Sequence, residues 1–280
     1  DTIDRCCSPM GSRMLREWLA MPLMDIDGLN ARYDIVGLLR DNGELRSGLR
    51  DRIGGVGDLE RIISRAATGR ILPREVRQLG RSLEQMQPIV SLCSNTGVAS
   101  LDKLLSGMKD TEGIRSRIQN TLAEDAAAMI GKGDVIASGV NSELDSLREI
   151  SRGGKDYILQ MQAKEVERTG INSLKIGYNN VFGYYIEVRN ASRDLVPPEW
   201  IRKQTLVNAE RYITPELKEY EDKILGAEAS IYELESKLYS ELVSDVQKSI
   251  RDIQANCHVI AELDVLQGFA HQADERNYCR

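Results

Sequence analysis

The sequence predicts a mostly α-helical protein, a helical bundle in which two long antiparallel helices carry a small inserted β-rich (α+β) part. Three observations predict it. Apolar residues recur at spacings of three and four through roughly the first 130 residues, the period of a helix with one buried face. Between Leu174 and Val188 the period drops to two, as in a strand. After Thr214-Pro215 the longer spacing returns and persists to Leu263 without an internal proline.

The elements follow in order. Met14, Leu15, Trp18 and Leu19 lie on one face of a first helix, which Pro22 ends. Ile26, Leu29, Tyr33, Val36 and Leu39 line a second, with Asp27 as its cap. Gly54, Gly55 and Gly57 punctuate the chain before a helix from Asp58 to Thr68. Pro73 belongs in the first turn of a helix reaching about Gln87, where Pro88 follows. Ser94 to Gly97 is a polar loop. Ile114, Ile118, Leu122 and Met129 predict a further amphipathic helix, broken by Gly131, Gly133 and Gly139. Asn141 then opens a helix through Ser142 to Arg168.

Leu174, Ile176 and Tyr178 alternate, as do Tyr184, Ile186 and Val188, and both runs read as strands. Asn179-Asn180 between them suits a hairpin, because asparagine tolerates left-handed backbone. Pro197-Pro198 marks a loop, and Thr205 to Ile213 is a further strand in a sheet of three or four. Thr214-Pro215 caps and starts the last element. Its apolar positions are Leu217, Tyr220, Ile224, Ala227, Ile231, Leu234 and Leu238, then, after a shift, Leu242, Val246, Ile250, Ile253, Cys257, Ile260 and Leu263. They predict one helix of about 50 residues, roughly 75 Å long, antiparallel to the helix that ends near Arg168. The expected division is 1–140, a first helical part; 141–228, the insert with its flanking helices and a β-rich tip at about 170–213; and 229–280, the returning helix.

Charge separates the insert from the rest. The whole chain carries a formal −6. From Arg168 to Arg211 there are seven basic residues (Arg168, Lys175, Arg189, Arg193, Arg202, Lys203, Arg211) against four acidic ones (Glu187, Asp194, Glu199, Glu210). The five cysteines show no CxxC spacing and read as reduced thiols of an intracellular protein. No apolar run reaches the ~18 to 20 residues of a membrane span, so no membrane association is expected. The chain starts on Asp1 and stops at Arg280, and it reads as a piece of a longer protein.

Catalytic chemistry has no motif to rest on. The two histidines, His258 and His271, lie in helical sequence, and Cys257 and His258, being adjacent, point to different faces. There is no GxxxxGK[ST] loop to hold a nucleotide. Neither a catalytic nor a metal site is expected. Binding chemistry is concentrated in the run Arg202, Lys203, Gln204, Thr205, Asn208 and Arg211. Duplex DNA presents a negative charge every ~1.7 Å, which Lys and Arg neutralise without reading bases. Gln, Thr and Asn hydrogen-bond phosphate oxygens and set position. Lys175 and Arg189 join the candidates on charge and strand placement alone. The competing reading is a solvated strand face, with Glu210 or Glu216 as an internal partner for Arg211. Tyr178, Phe182, Tyr184, Tyr185 and Trp200 are assigned to the small sheet's core in preference to base stacking. Gly183 is assigned to a turn or bulge.

Four blocks resemble the MutS family of mismatch-repair ATPases, in that family's order. They are GSRMLREWLAMPLMDIDGLNARYDIVGLL (Gly11–Leu39), GDLERIISRAATGRILPREV (Gly57–Val76), the insert from Lys175 to Tyr220, and IAELDVLQGFAHQADERNYCR (Ile260–Arg280). The resemblance implies the core or lever part of such a protein with its inserted DNA clamp, without the mismatch-reading and ATPase domains. The run Arg202 to Arg211 falls where the family's clamp contacts the DNA backbone. The resemblance implies double-stranded DNA as partner, and a longer parent that binds ATP and Mg, forms a homodimer, meets a MutL-type repair partner and works in the cytoplasm at the nucleoid. No cofactor is expected for this part itself. Two other readings stay open: a protein-interaction scaffold whose basic tip is incidental, and the equivalent part of a meiotic or recombination relative that clamps DNA junctions.

Overall fold

The computed structural model describes residues 3–179, 181 and 183–279, so the turn residue Asn180 and the aromatic Phe182 lie outside the described residues. The chain divides into two compact units, Asp1–Ala137 with Leu238–Arg280, and Ser138–Lys237.

The first unit holds α1 (Pro9–Ala20), α2 (Ile26–Asp41), α3 (Gly43–Val56), α4 (Leu59–Ala67), α5 (Pro73–Glu84), α6 (Met86–Cys93), α7 (Ala99–Leu105) and α8 (Glu112–Thr121), and it is completed by α11 (Ile250–Arg276). Helix α11 packs against α1, α2, α3 and α4. Its sequence explains that central place. Val259, Ile260, Ala261, Leu263, Val265 and Leu266 are all buried, so it is apolar nearly all round instead of along one stripe. Leu39, Leu49, Ile53, Leu59, Val76, Leu79 and Ile118 close around it and each other at no exposure. Asp264, fully buried on α11, accepts from the Cys7 and Ser8 amides at 2.8 Å and from the Ser8 hydroxyl at 2.7 Å, and so secures the start of α1. Cys93 and Cys257 are buried free thiols, raised by burial to about 11 and about 12.

The second unit holds α9 (Ser142–Thr169), a four-stranded sheet and the first part of α10 (Pro215–Lys248). The Asn141 side chain caps α9 through the Leu144 amide, and the Thr214 hydroxyl accepts from the Leu217 amide, so both starts fall where the sequence places them. Rising residue numbers on α9 meet falling ones on α10: Arg148 with Glu235, Lys155 with Glu228 and Tyr157 with Tyr220. The two helices are therefore antiparallel, as expected. Gly154 sits against Ile224, where a Cβ would lie 2.5 Å from that side chain, so the pair approaches closely there.

The structure corrects several expectations. The cap of α2 is Asp25, whose carboxylate accepts from the Gly28 amide; Asp27 lies inside the first turn. Gly54 and Gly55 continue α3, and only Gly57 beyond it takes positive φ, at 73°. Pro88 does not follow a helix: α5 stops at Glu84, and Pro88 occupies the first turn of α6, where its missing N–H is tolerated. Helix α8 ends at Thr121, because Ala123 and Ala137 turn their amides to the carbonyls of Val135 and Thr121 and Leu122 bridges Ile136; Met129 is half exposed in irregular chain. The long C-terminal pattern is two helices. At Ser249 (φ −92°, ψ 0°) the amide bonds Val246 three residues back instead of four, and the hydroxyl bonds the Asp245 carbonyl. Among the described residues no helix is long and apolar enough to cross a membrane.

Candidate nucleic-acid interface

The sheet runs β1 (Lys175–Asn179), β2 (Gly183–Arg189), β3 (Ile201–Thr205) and β4 (Ala209–Ile213), antiparallel in the order β1-β2-β4-β3. The expected single strand from Thr205 to Ile213 is instead the end of β3, a turn and β4, since the Leu206 amide folds back to the Ala209 carbonyl. A short helix of the tighter 3-10 type (Asn190–Leu195) follows β2.

One face of the sheet builds the core. Ile186, Val188, Trp200 and Tyr212 pack with Ile158 and Met161 of α9 and with Leu217 and Ile224 of α10. Trp200 meets Tyr212, which was not among the expected core aromatics, at 5.9 Å, and Tyr184 packs at the margin, so two of the five expected aromatics, Trp200 and Tyr184, line the core. Tyr178 is 47% exposed, and Tyr185 lies on the outer face. The β1–β2 turn is held from α10. Glu221, 2% exposed, accepts from the Tyr184 amide at 2.5 Å and from Lys218. Gly183 has φ +77°, and a Cβ there would collide with that carboxylate, which favours glycine at this turn.

Residues paired across an antiparallel sheet share a face. Lys175 pairs with Glu187, Glu187 with Arg211, and Arg211 with Gln204, so these four form one row across the outer face; Arg189 lies beside the row, paired with Ala209. Arg202 pairs with Tyr212 and Thr205 with Glu210, which puts both on the opposite, inner face. Arg202 and Gln204 are separated because the register slips between them, leaving Lys203 as the bulge residue of an edge strand. The eight candidates therefore form two groups with Lys203 exposed between them, and Asn208 is exposed in the β3–β4 turn. That turn is braced by Asn190, whose amide donates to Asn208 and whose side chain donates to the Val207 carbonyl.

The two groups differ in charge. Arg211 is 18% exposed; its Nε donates to Glu187 at 3.0 Å, its Nη1 to Gln204 at 3.0 Å, and its plane lies 4.1 Å over Tyr185. Its partner is thus Glu187, neither Glu210 nor Glu216: Glu210 faces the other way and Glu216 accepts from Tyr157. On the inner face two arginines share one carboxylate. Glu210, 3% exposed, accepts from Arg202 Nη1 at 3.2 Å and pairs with Arg193 Nε at 3.5 Å, while the Tyr212 hydroxyl donates to its other oxygen. The Tyr212 bond, and then the two arginines, hold Glu210 below the usual carboxylate value; burial and Glu210 push the Tyr212 phenol up to about 12. Lys175, Arg189 and Lys203 form no ion pair within 4.0 Å among the described residues. Arg193 lies in the 3-10 helix and on no strand, and no strand pattern in the sequence marks it; its contact with Glu210 does. Among the described residues no cluster of His, Cys, Asp or Glu is arranged to hold a metal.

A mostly helical chain with a small antiparallel sheet inserted between α9 and α10, and with cations on that sheet that have no acidic partner among the described residues, is the class of protein the structure defines. The comparisons specify it. Residues 1–270 match the family described as MutS domain III, and the chain belongs to that family. It is 51% identical over its full length to the DNA mismatch repair protein MutS of Phocaeicola vulgatus, 50% to that of Bacteroides thetaiotaomicron, and 47% over 278 residues to that of Flavobacterium johnsoniae. In each case it spans 32% of the relative's length.

Proposed function

We propose that this chain is the DNA-gripping and motion-transmitting part of a MutS-type mismatch-repair protein, and that it holds duplex DNA by the phosphates without reading sequence. The observation that carries the reading is the surplus of cation on the inserted sheet within a chain of net charge −6. Arg193 and Arg202 share a single carboxylate, and Lys175, Arg189 and Lys203 have no acidic partner among the described residues. Such charges release counterions from DNA and bind any sequence. Gln204, Thr205 and Asn208 supply neutral donors for phosphate oxygens. The part itself performs no catalysis; ATP and Mg belong to the rest of a longer protein, which pairs as a homodimer, meets a MutL-type partner and acts in the cytoplasm at the nucleoid. Helix α10 supplies residues to both units without interruption, which suits the transmission of a displacement.

Fluorescence anisotropy of the chain on labelled matched and mismatched duplexes, titrated in salt, tests the grip. Equal affinity for both and a log–log salt slope of about −2 to −4 are expected. A clear preference for the mismatch would place sequence reading in this part and overturn the division of labour. Reversing Arg202 and Lys203 to Glu should abolish binding; a scaffold for a protein partner would keep its partner after that change. In a full-length protein, Ile231→Pro breaks α10, and the response of ATP turnover to DNA should be lost.

A further inference from the structure

We infer that Arg193 and Arg202 together form a phosphate-binding fork, with the buried carboxylate of Glu210 as the residue that positions both guanidinium groups. The inference rests on the duplex-gripping function just proposed and names one site within it.

Three features single out this pair. Their nitrogens both approach the same oxygen of Glu210, at 3.2 Å and 3.5 Å, which draws two like charges together although they come from different elements, β3 and the 3-10 helix. Two cations on one anion leave a net positive charge, whereas Arg211 on the outer face is matched one to one by Glu187 and also bonded to Gln204. Both side chains stay open to solvent, at 59% and 52%. Among the described residues, Arg193 uses only Nε and Arg202 only Nη1. Each therefore retains terminal N–H donors, the arrangement that takes a phosphodiester by paired hydrogen bonds. Lys203, exposed at the adjacent bulge, extends the positive edge.

Glu210 gives the inference an unusual sign. If it were merely a negative charge near DNA, neutralising it would strengthen binding. As the positioning residue it should do the reverse. Glu210→Gln retains a hydrogen-bonding side chain for Tyr212 and adds one unit of positive charge, yet the two guanidiniums would then repel and separate, so affinity should fall. The experiment compares Glu210→Gln, Arg193→Ala, Arg193→Lys and the charge-matched control Lys223→Ala, a lysine of α10 paired with Glu219, each in the 280-residue chain on a labelled duplex. Arg193→Ala should lower affinity about tenfold, as for a lost charge-assisted hydrogen bond, and reduce the salt slope by about 1. Arg193→Lys should restore the slope but only part of the affinity, and Lys223→Ala should match the parent. Arg193 is exposed, so its variants do not depend on the fold surviving a change at Glu210. Parental affinity and slope in Arg193→Ala, or tighter binding in Glu210→Gln, would overturn the fork while leaving the duplex grip intact. A parent chain that binds no duplex at low salt would overturn both.

Discussion

The two units bury polar groups for different ends. In the helical unit they tie down backbone: Asp264 holds the Cys7 and Ser8 amides, Asn256 bonds both the amide and the carbonyl of Lys109, and Tyr239 donates to the Ile71 carbonyl. In the sheet-bearing unit the buried carboxylates mostly hold cations: Glu235 pairs with Arg148 at 2.6 Å, Glu210 with Arg193 and Arg202, and Glu221 with Lys218 besides the Tyr184 amide. The first unit has a broad apolar core around α11. The second has one small cluster beneath a four-stranded sheet, and charge pairs supply much of its definition. Removing one partner of a buried pair strands the other charge.

The largest expected effects break that comparison directly. Glu235→Ala should cost about 1.5–3 kcal/mol, the loss of a hydrogen bond to a charged group, because Arg148, with a side chain only 7% exposed, loses its nearest acceptor and keeps Asp145 at 3.6 Å. Asp264→Ala should cost about 3 kcal/mol, by leaving buried amides at the start of α1 without their acceptor. Hydrogen exchange separates the two: Glu235→Ala should speed exchange in α9 and leave α1 protected, and Asp264→Ala should do the opposite. If either variant loosened both helices equally, the chain would behave as one cooperative body and the contrast would fail. The double replacement Arg148→Met with Glu235→Leu sharpens the point, since an apolar pair of similar size should recover most of the loss.

A smaller effect is expected at the β1–β2 turn. Gly183→Ala places a methyl group against the Glu221 carboxylate and forces an alanine to φ +77°, at about 1–3 kcal/mol. Unfolding followed by Trp200 fluorescence would show it, because Trp200 lies in the sheet's own core. An unchanged midpoint would mean that the turn relaxes without cost.

Much of this architecture was legible in the sequence because hydrophobic period and caps are local signals. Asn141 and Thr214-Pro215 start helices where a side-chain oxygen and a fixed φ favour them, and the alternation from Leu174 to Val188 follows from one buried sheet face. What was not legible depends on single hydrogen bonds. Ser249 splits the C-terminal heptad because one amide bonds three residues back. The candidate interface divides into two faces because the strand bulges at Lys203; in a regular strand Arg202 and Gln204, two residues apart, would point the same way. Alternation also made Thr205 to Ile213 read as a single strand, since nothing in its residue types marks the turn at Leu206. Arg193 carries no local signal for a related reason: its contact is with a carboxylate 17 positions away that only the fold brings near.

The smallest expected effect concerns Glu210, where the outlay of buried charge can be read by titration. Its folded-state value lies below the ordinary 4.5, with the Tyr212 hydrogen bond as the largest cause. A lowered carboxylate stabilises the folded state above its unfolded value, and that stabilisation disappears as pH falls through the folded value. The sheet-bearing unit should therefore hold constant stability from neutral pH down to about the ordinary carboxylate value and lose it below. In Tyr212→Phe the largest of the lowering influences is removed while Arg193 and Arg202 remain, so the Glu210 titration, followed by carbon NMR, should move up towards 4.5 without reaching it. A shift of the same size in Arg202→Gln but none in Tyr212→Phe would assign the carboxylate to the arginines alone. The ring of Tyr212 would then serve only to pack against Trp200.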